Sequence, residues 1–420
     1  MEAIMRSIFL STLFITQLAL AGNGTYFLGI SPSSKSLGGT GVANPTNSTD
    51  AAFKNPALFS ELGLTKGNIQ AAANGTLIKQ NASANAGAGE KSATGKGLSL
   101  APAISAAYQA CDNFTVGLAA YTYGGADADF TGEATLSETK VESSVNYIGP
   151  TFSYKFFDMW SVGISPHLVY ADLALNNKTL VPGSTQSTRP TKSTIAYGVK
   201  FGTAVTPVKD LMIGLSFSPK VRIRYKEIAD LDTLNFASLA GDGKLDDIDT
   251  QDPAQLAMGV SYSFTPSFKL TVDGRYIGWS SADVFRELGW RDQYVLAAGA
   301  EYRLDKLALR AGFNYGRSVI DDASGEAGNT AVDLSGHNVN QVFVSNLNLV
   351  GFPGISTTHF TVGAGYDITP AISADLAVVY VPKATVTRSG SYTLPTGTTA
   401  YSYTGTVSQW TVGLGGTFRF

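Results

Sequence analysis

The chain has one cysteine among its 420 residues. Cys111 therefore has no intrachain disulfide partner, and its place in a predicted turn marks it as an idle thiol. The three histidines, His167, His337 and His359, share no metal-ligand spacing, and no nucleophile motif is visible. Nothing in the pattern argues for catalysis, a metal or a cofactor. Charge is sparse, at 15% of residues, where a soluble domain carries about 25%. A net charge of −3 leaves no basic surface for nucleic acid. Beyond the N-terminus, no run reaches the roughly 18 apolar residues that a membrane-spanning helix needs.

What the chain has is greasy, aromatic and glycine-rich: 44% hydrophobic, 19 Tyr, 22 Phe and 45 Gly. Its first 21 residues read as a cleaved export signal. Arg6 supplies the positive start, Ser7 to Leu18 the apolar core, and Ala19-Leu20-Ala21 the small-x-small cleavage site. The core is too short to span a membrane. At the other end, QWTVGLGGTFRF alternates strictly: Trp410, Val412, Leu414, Gly416, Phe418 and Phe420 on one face, polar or small residues on the other. Period two marks a strand with one greasy and one wet face. An exported chain whose last strand ends on Phe points to a bacterial outer-membrane barrel.

The same alternation recurs along the chain. Strands are expected near 67–78, 97–110, 113–130, 141–156, 160–175, 193–206, 211–226, 253–265, 268–281, 291–304, 307–320, 357–369, 372–387 and 409–420. That is about 14, an even number as such barrels require. Very short connections at 111–113, 157–159, 207–210, 265–267, 304–306 and 369–371 read as periplasmic turns. Long ones at 79–96, 131–140, 176–192, 227–252, 282–290, 321–356 and 388–408 read as extracellular loops. Residues 22–65 do not alternate. The expected division is a signal peptide over 1–21, an N-terminal segment over 22–65 and a transmembrane barrel over 66–420.

Parity assigns facing. In 211–226, Leu211, Ile213, Leu215, Phe217, Val221, Ile223 and Tyr225 are expected outward. Met212, Ser216, Lys220, Arg222, Arg224 and Lys226 are expected inward. In 268–281, Asp273, Arg275, Ile277 and Trp279 are expected inward.

Several stretches resemble the long-chain fatty acid transporter (FadL) family, which includes aromatic-hydrocarbon channels. The best is SKSLGGTGVANPTNSTDAAFKNPALFSELG, residues 34–63, with Leu37-Gly38, Asp50-Ala51 and Asn55-Pro56-Ala57 in the family's order. GLAAYTYGG (117–125), YIGWSS (276–281), GWRDQYVLAAGAEYRLDKLALRAGFNYG (289–316) and FPGISTTHFTVGAGYDIT (352–369) follow in sequence. The resemblance implies an all-β, 14-stranded antiparallel transmembrane barrel with an N-terminal hatch plugging the lumen. It also implies passive transport of hydrophobic molecules and a wall opening at an inward kink of the third strand.

Within that frame, Asn55 is a strong N-cap and Pro56 suits a first helical position, so Asn55-Pro56-Ala57 should form a rigid corner against the barrel wall. Alternation in the third strand fails at Tyr123-Gly124-Gly125, where paired glycines suit a bulge or close backbone approach, the expected side gate. Lys220, Arg222 and Arg224 form an inward basic ladder suited to a carboxylate, with Arg275 a weaker candidate. Leu231, Leu234 and Phe236 stripe a loop suited to first capture of a greasy solute. Asp242 to Asp252 read as solvated charge. The expected partners are a fatty acid or hydrocarbon, outer-membrane lipid and lipopolysaccharide, and the barrel-assembly machinery through Phe420. The barrel is expected to be a monomer. A hydrocarbon channel, a general porin and an outer-membrane enzyme remain as alternatives, the last two disfavoured by the non-alternating segment and by the histidines.

Overall fold

A computed structural model describes residues 22–87, 89–92, 99–176, 191–231 and 244–420. The export signal and loop residues Leu234 and Phe236 lie outside these. Fourteen antiparallel strands form one closed barrel. In chain order they are β1 (Ile69–Asn85), β2 (Ser99–Cys111), β3 (Phe114–Asp129), β4 (Lys140–Phe156) and β5 (Trp160–Asn176). Then come β6 (Lys192–Val208), β7 (Leu211–Ser218), β8 (Gln255–Thr265), β9 (Phe268–Ile277) and β10 (Gln293–Leu304). The last four are β11 (Leu307–Gly316), β12 (Thr358–Thr369), β13 (Ile372–Leu394) and β14 (Gly397–Arg419). Closure runs from β14 to β1, from Thr404↔Asn85 to Arg419↔Gln70. Phe420 completes it: Ile69 N–H donates to the Phe420 carbonyl at 3.0 Å, and Phe420 N–H returns the bond at 2.9 Å. A closed sheet leaves no unpaired edge in lipid.

Parity reads through to facing in the wall. Leu215, Phe217, Leu256, Met258, Leu270 and Val272 are exposed on the outside, while Ser216, Ala257, Thr271 and Asp273 are buried within. Two stretches differ most from the sequence reading, each for a local reason. The 211–226 segment is not one strand. β7 stops at Ser218 because Pro219 offers no N–H to a ladder. Val221–Ala229 then leaves the wall and pairs with Asp246–Asp252 as a separate extracellular hairpin. Past that break the facing inverts: Val221, Ile223 and Tyr225 are buried and Arg222 and Arg224 exposed. The 388–408 stretch is not a loop. β13 and β14 run on to Leu394↔Gly397, their outer ends zipped by Thr387–Thr404 and Thr393–Thr398 hydroxyl pairs at 2.9 and 3.0 Å. Hydroxyl-rich alternation is hard to recognise as strand because both faces are wet. Within 321–356, Val342, Phe343, Val344, Leu347 and Leu349 are buried on a short helix (Gln341–Asn346) and a π-turn (Leu347–Gly351).

The residues after Gly22 form three short capped pieces. Ser31 caps Pro32–Ser36, Asn47 caps Ser48–Lys54, and Asn55 caps the 3₁₀ turn Pro56–Glu61, accepting from Ala57 N–H at 3.1 Å. Their bonds reach strands on opposite sides of the barrel. Gly38 N–H donates to Thr361 Oγ1 at 3.0 Å. Gly41 and Val42 N–H donate to Asp273 at 2.8 and 3.0 Å. Asn55 Nδ2 donates to the Thr203 carbonyl at 3.0 Å, and Ser153 Oγ to the Ala57 carbonyl at 2.9 Å. Gly163 and Gly202 face the Asn55-Pro56-Ala57 corner, and a Cβ at either would collide with it.

Candidate functional site

Two cavities lie in series inside the barrel, with opposite chemistry. The outer one is apolar. Strand residues Val145, Leu173 and Leu175, hairpin residues Ile223, Tyr225 and Ile248, and loop residues Phe285, Leu288, Leu347 and Phe352 line it. Such a lining suits an apolar small molecule. The inversion after Pro219 creates part of this wall, since it turns Ile223 and Tyr225 inward.

The inner cavity is bounded by N-terminal residues Val42, Phe53 and Lys54 and by Lys200, Gln255, Asp273, Arg275 and Asn314 from the wall. It holds three basic side chains against one carboxylate. Lys54 Nζ donates to the Leu28 carbonyl at 2.6 Å, and Lys200 Nζ donates to the Phe53 carbonyl. Asp273 Oδ2 is taken by the Gly41 and Val42 amides, while its Oδ1 has no hydrogen-bond partner among the described residues. Arg275 makes no hydrogen bond or ion pair with any described residue. Burial pulls the Lys54 ammonium down to about 7, with the Arg275 charge adding to the shift and Asp273 opposing it.

An aromatic partition separates the two spaces. Tyr26 meets Tyr123 edge-on at 4.7 Å and stacks on Trp279 at 4.9 Å. Tyr123 stacks on Tyr147 at 4.3 Å, and Tyr147 on His167 at 4.2 Å. Asp252 ties the partition to the outer hairpin, accepting from Tyr147 OH at 2.9 Å and Tyr26 OH at 3.3 Å. Gln255 Nε2 donates to Tyr123 OH.

The third strand passes beside both cavities. Gly124 and Gly125 line the outer one and Tyr123 the inner. The ladder between β3 and β4 shifts register between Thr122 and Gly124. Among the described residues, the β2–β3 ladder ends at Ala103↔Tyr121. Beyond it β3 turns to the N-terminal segment: Tyr26 pairs with Gly124, and Gly125 N–H donates to the Thr25 carbonyl at 3.1 Å.

The expected basic ladder is not in the lumen. Lys220 Nζ donates to the Ser281 carbonyl, Arg222 pairs with Asp249 at 2.8 Å, and Arg224 with Asp247 at 2.9 Å. All three are exposed and line neither cavity. The cause is again Pro219, which resets the parity that had placed them inward. It also means that part of the acidic run is salt-bridged rather than merely solvated. Arg275 does line a cavity. Leu231 is fully buried, so it presents no greasy stripe to solvent. Asn55, Pro56 and Ala57 contact the wall rather than either cavity. Lys54, Lys200, Tyr26 and Tyr147 carried no role in the sequence reading, and Asp252, expected to be solvated, is instead buried. Lys200 had a findable signal, a lone charge on the inward parity of Ala196, Gly198, Gly202 and Ala204, mid-strand.

The profile of a family described as "Outer membrane protein transport protein (OMPP1/FadL/TodX)" matches residues 14–328. The chain belongs to this family. Its fold agrees with a Pseudomonas aeruginosa FadL homologue at 15% identity and a TM-score of 0.67, over 94% of this chain and 99% of that one. It agrees with the Ralstonia pickettii toluene transporter TbuX at 18% and 0.62, over 93% and 98%. The P. putida toluene transporter TodX gives 17% and 0.61, over 96% and 99%. No curated protein matches by sequence. Family barrels are outer-membrane transporters of hydrophobic small molecules, and the present chain shares that role and location. Among the described residues no helix is long and apolar enough to cross a membrane.

Proposed function

We propose that this protein passively conducts long-chain fatty acids through the outer membrane, with residues 22–65 acting as a hatch and the third strand as a side exit. The observation that carries the choice of substrate is the excess of basic side chains in the inner cavity, Lys54, Lys200 and Arg275 against Asp273, behind an apolar outer cavity. A carboxylate leaving water needs a cationic partner, and Arg275 has its donors free of described partners. The apolar lining of the outer space suits the acyl chain, and the basic lining of the inner one suits the head group.

The side exit rests on the end of the β2–β3 ladder at Tyr121 and on Gly124 and Gly125 lining the outer cavity. A solute leaving there reaches lipid without hydrating its chain, which costs about 0.8 kcal/mol per CH₂. The N-terminal segment occupying the lumen argues against a general porin. Aromatic-hydrocarbon uptake is the second reading. Two of the similar solved structures are toluene transporters, and the outer cavity alone would hold a neutral ring. Competition decides between them: oleate should displace a bound fluorescent fatty acid, and toluene should not. Displacement by toluene at lower concentration than oleate would favour the hydrocarbon.

A further inference from the structure

The periplasmic turn between β4 and β5 differs from its counterparts. Phe157 and Asp158 are its central residues, both with positive φ, at 50° and 56°, and Met159 N–H closes it on the Phe156 carbonyl at 3.2 Å. Two consecutive left-handed residues are the backbone of a type I′ turn, which favours Asn-Gly. A bulky side chain is out of place there on local grounds. The residue is also the most exposed of the large apolar side chains, at 86%. Among the described residues, no other periplasmic turn carries an aromatic at its tip; the others hold Asp112-Asn113, Lys209-Asp210, Pro266-Ser267, Asp305-Lys306 and Pro370-Ala371. A strained backbone that displays a greasy ring calls for an environment that takes the ring up.

We propose that Phe157 is a membrane anchor, inserted into the head-group boundary of the periplasmic leaflet. The occupant is lipid rather than a periplasmic protein because the ring continues the barrel's lipid-facing aromatic surface. Phe156 packs against Tyr154 at 4.6 Å and against Trp160 at 5.6 Å, and all three are outward and exposed. Aromatic rings favour this interfacial depth. The anchored hairpin is also a foothold of the N-terminal segment. Lys155 pairs with Glu61 at 3.0 Å, and Ser161 Oγ donates to the same carboxylate. Fixing the turn in lipid therefore fixes the wall on which Pro56–Glu61 rests.

Two measurements on the full chain in phospholipid vesicles test this. The first places a reporter at the tip, Phe157→Trp with Trp160→Phe and Trp410→Phe. Lipid brominated near the glycerol backbone should quench the added emission and aqueous iodide should not. Quenching by iodide but not by brominated lipid would put the turn in water and overturn the anchor. The second reads a sign. Phe157→Asn suits the left-handed turn, so a turn standing in water gains stability and its urea midpoint rises. An anchor lost to Asn lowers the midpoint instead, and that fall is the expected result. A rise would overturn the proposal, as would a periplasmic protein that protects the unanchored ring.

Discussion

The two cavities share one barrel and one set of strands, yet they are built from different parts of the chain. The outer space adds to strand residues Val145, Leu173 and Leu175 a set that left the barrel ladder: the hairpin after Pro219 and the loop residues Phe285, Leu288, Leu347 and Phe352. The inner space is walled by regular strand positions and by the N-terminal segment. Loops can bring apolar surface inward without regard to strand parity. A charge in the lumen must instead be held by a rigid wall and by backbone carbonyls, as Lys54 and Lys200 are. Under the proposed function, the outer space takes the acyl chain and the inner space the charged group.

The strongest way to break this division is to close the way out. A disulfide joining β2 to β3 beyond the Ala103–Tyr121 pair, in a Cys111→Ser background, should abolish uptake when oxidised and restore it when reduced. Unchanged uptake with the crosslink confirmed by mass spectrometry would remove the side exit. Next in size, Ile223→Ser in the outer cavity should weaken fatty acid and toluene alike, by about 1–2 kcal/mol of lost apolar burial. Calorimetric titration showing loss for one ligand only would mean the two do not share this space.

A smaller effect is expected from pH. Burial lowers the Lys54 ammonium to about 7, so much of it is neutral above neutrality. A bound carboxylate favours the charged form and raises that value, so binding takes up a proton. Affinity for a fatty acid should therefore fall as pH rises from about 7 toward the usual ammonium range, by at most about tenfold per unit. Lys54→Met should flatten the slope, and an unaltered slope would assign the titration elsewhere. The least effect should come from Arg222→Ala with Arg224→Ala. Their ion pairs are solvent-exposed, worth roughly 0–1 kcal/mol each, and they line neither cavity. A large loss of fatty-acid affinity in this variant would return the head group to the hairpin.

Period two, turn length and the final Phe420 made the barrel legible, because lipid outside and polar lumen inside impose alternation on every spanning strand. The Asn55-Pro56 corner was legible too, since a cap and a fixed φ are local chemistry. The basic ladder was misread because alternation continues unbroken across Pro219 while the strand does not. Periodicity records which residues share a face but not which side that face meets once the chain leaves the wall. Lys54, Lys200 and Arg275 meet only through tertiary packing, across 221 residues of sequence from first to last (275 − 54). No local signal could have joined them, although the inward parity of Lys200 and Arg275 was available. The Tyr26–Tyr123–Tyr147 partition is likewise a product of the N-terminal segment reaching β3.

The central claim is that the inner cavity holds a carboxylate. Its most direct test compares the affinity of oleate with that of methyl oleate, in the native protein and in a Lys200→Ala, Arg275→Ala variant that keeps its heat-modifiable folded form. The native protein should prefer the acid by about 1.5–3 kcal/mol for each charge-assisted bond made, and the variant should bind both alike. An equal preference for the acid in both proteins would contradict the account.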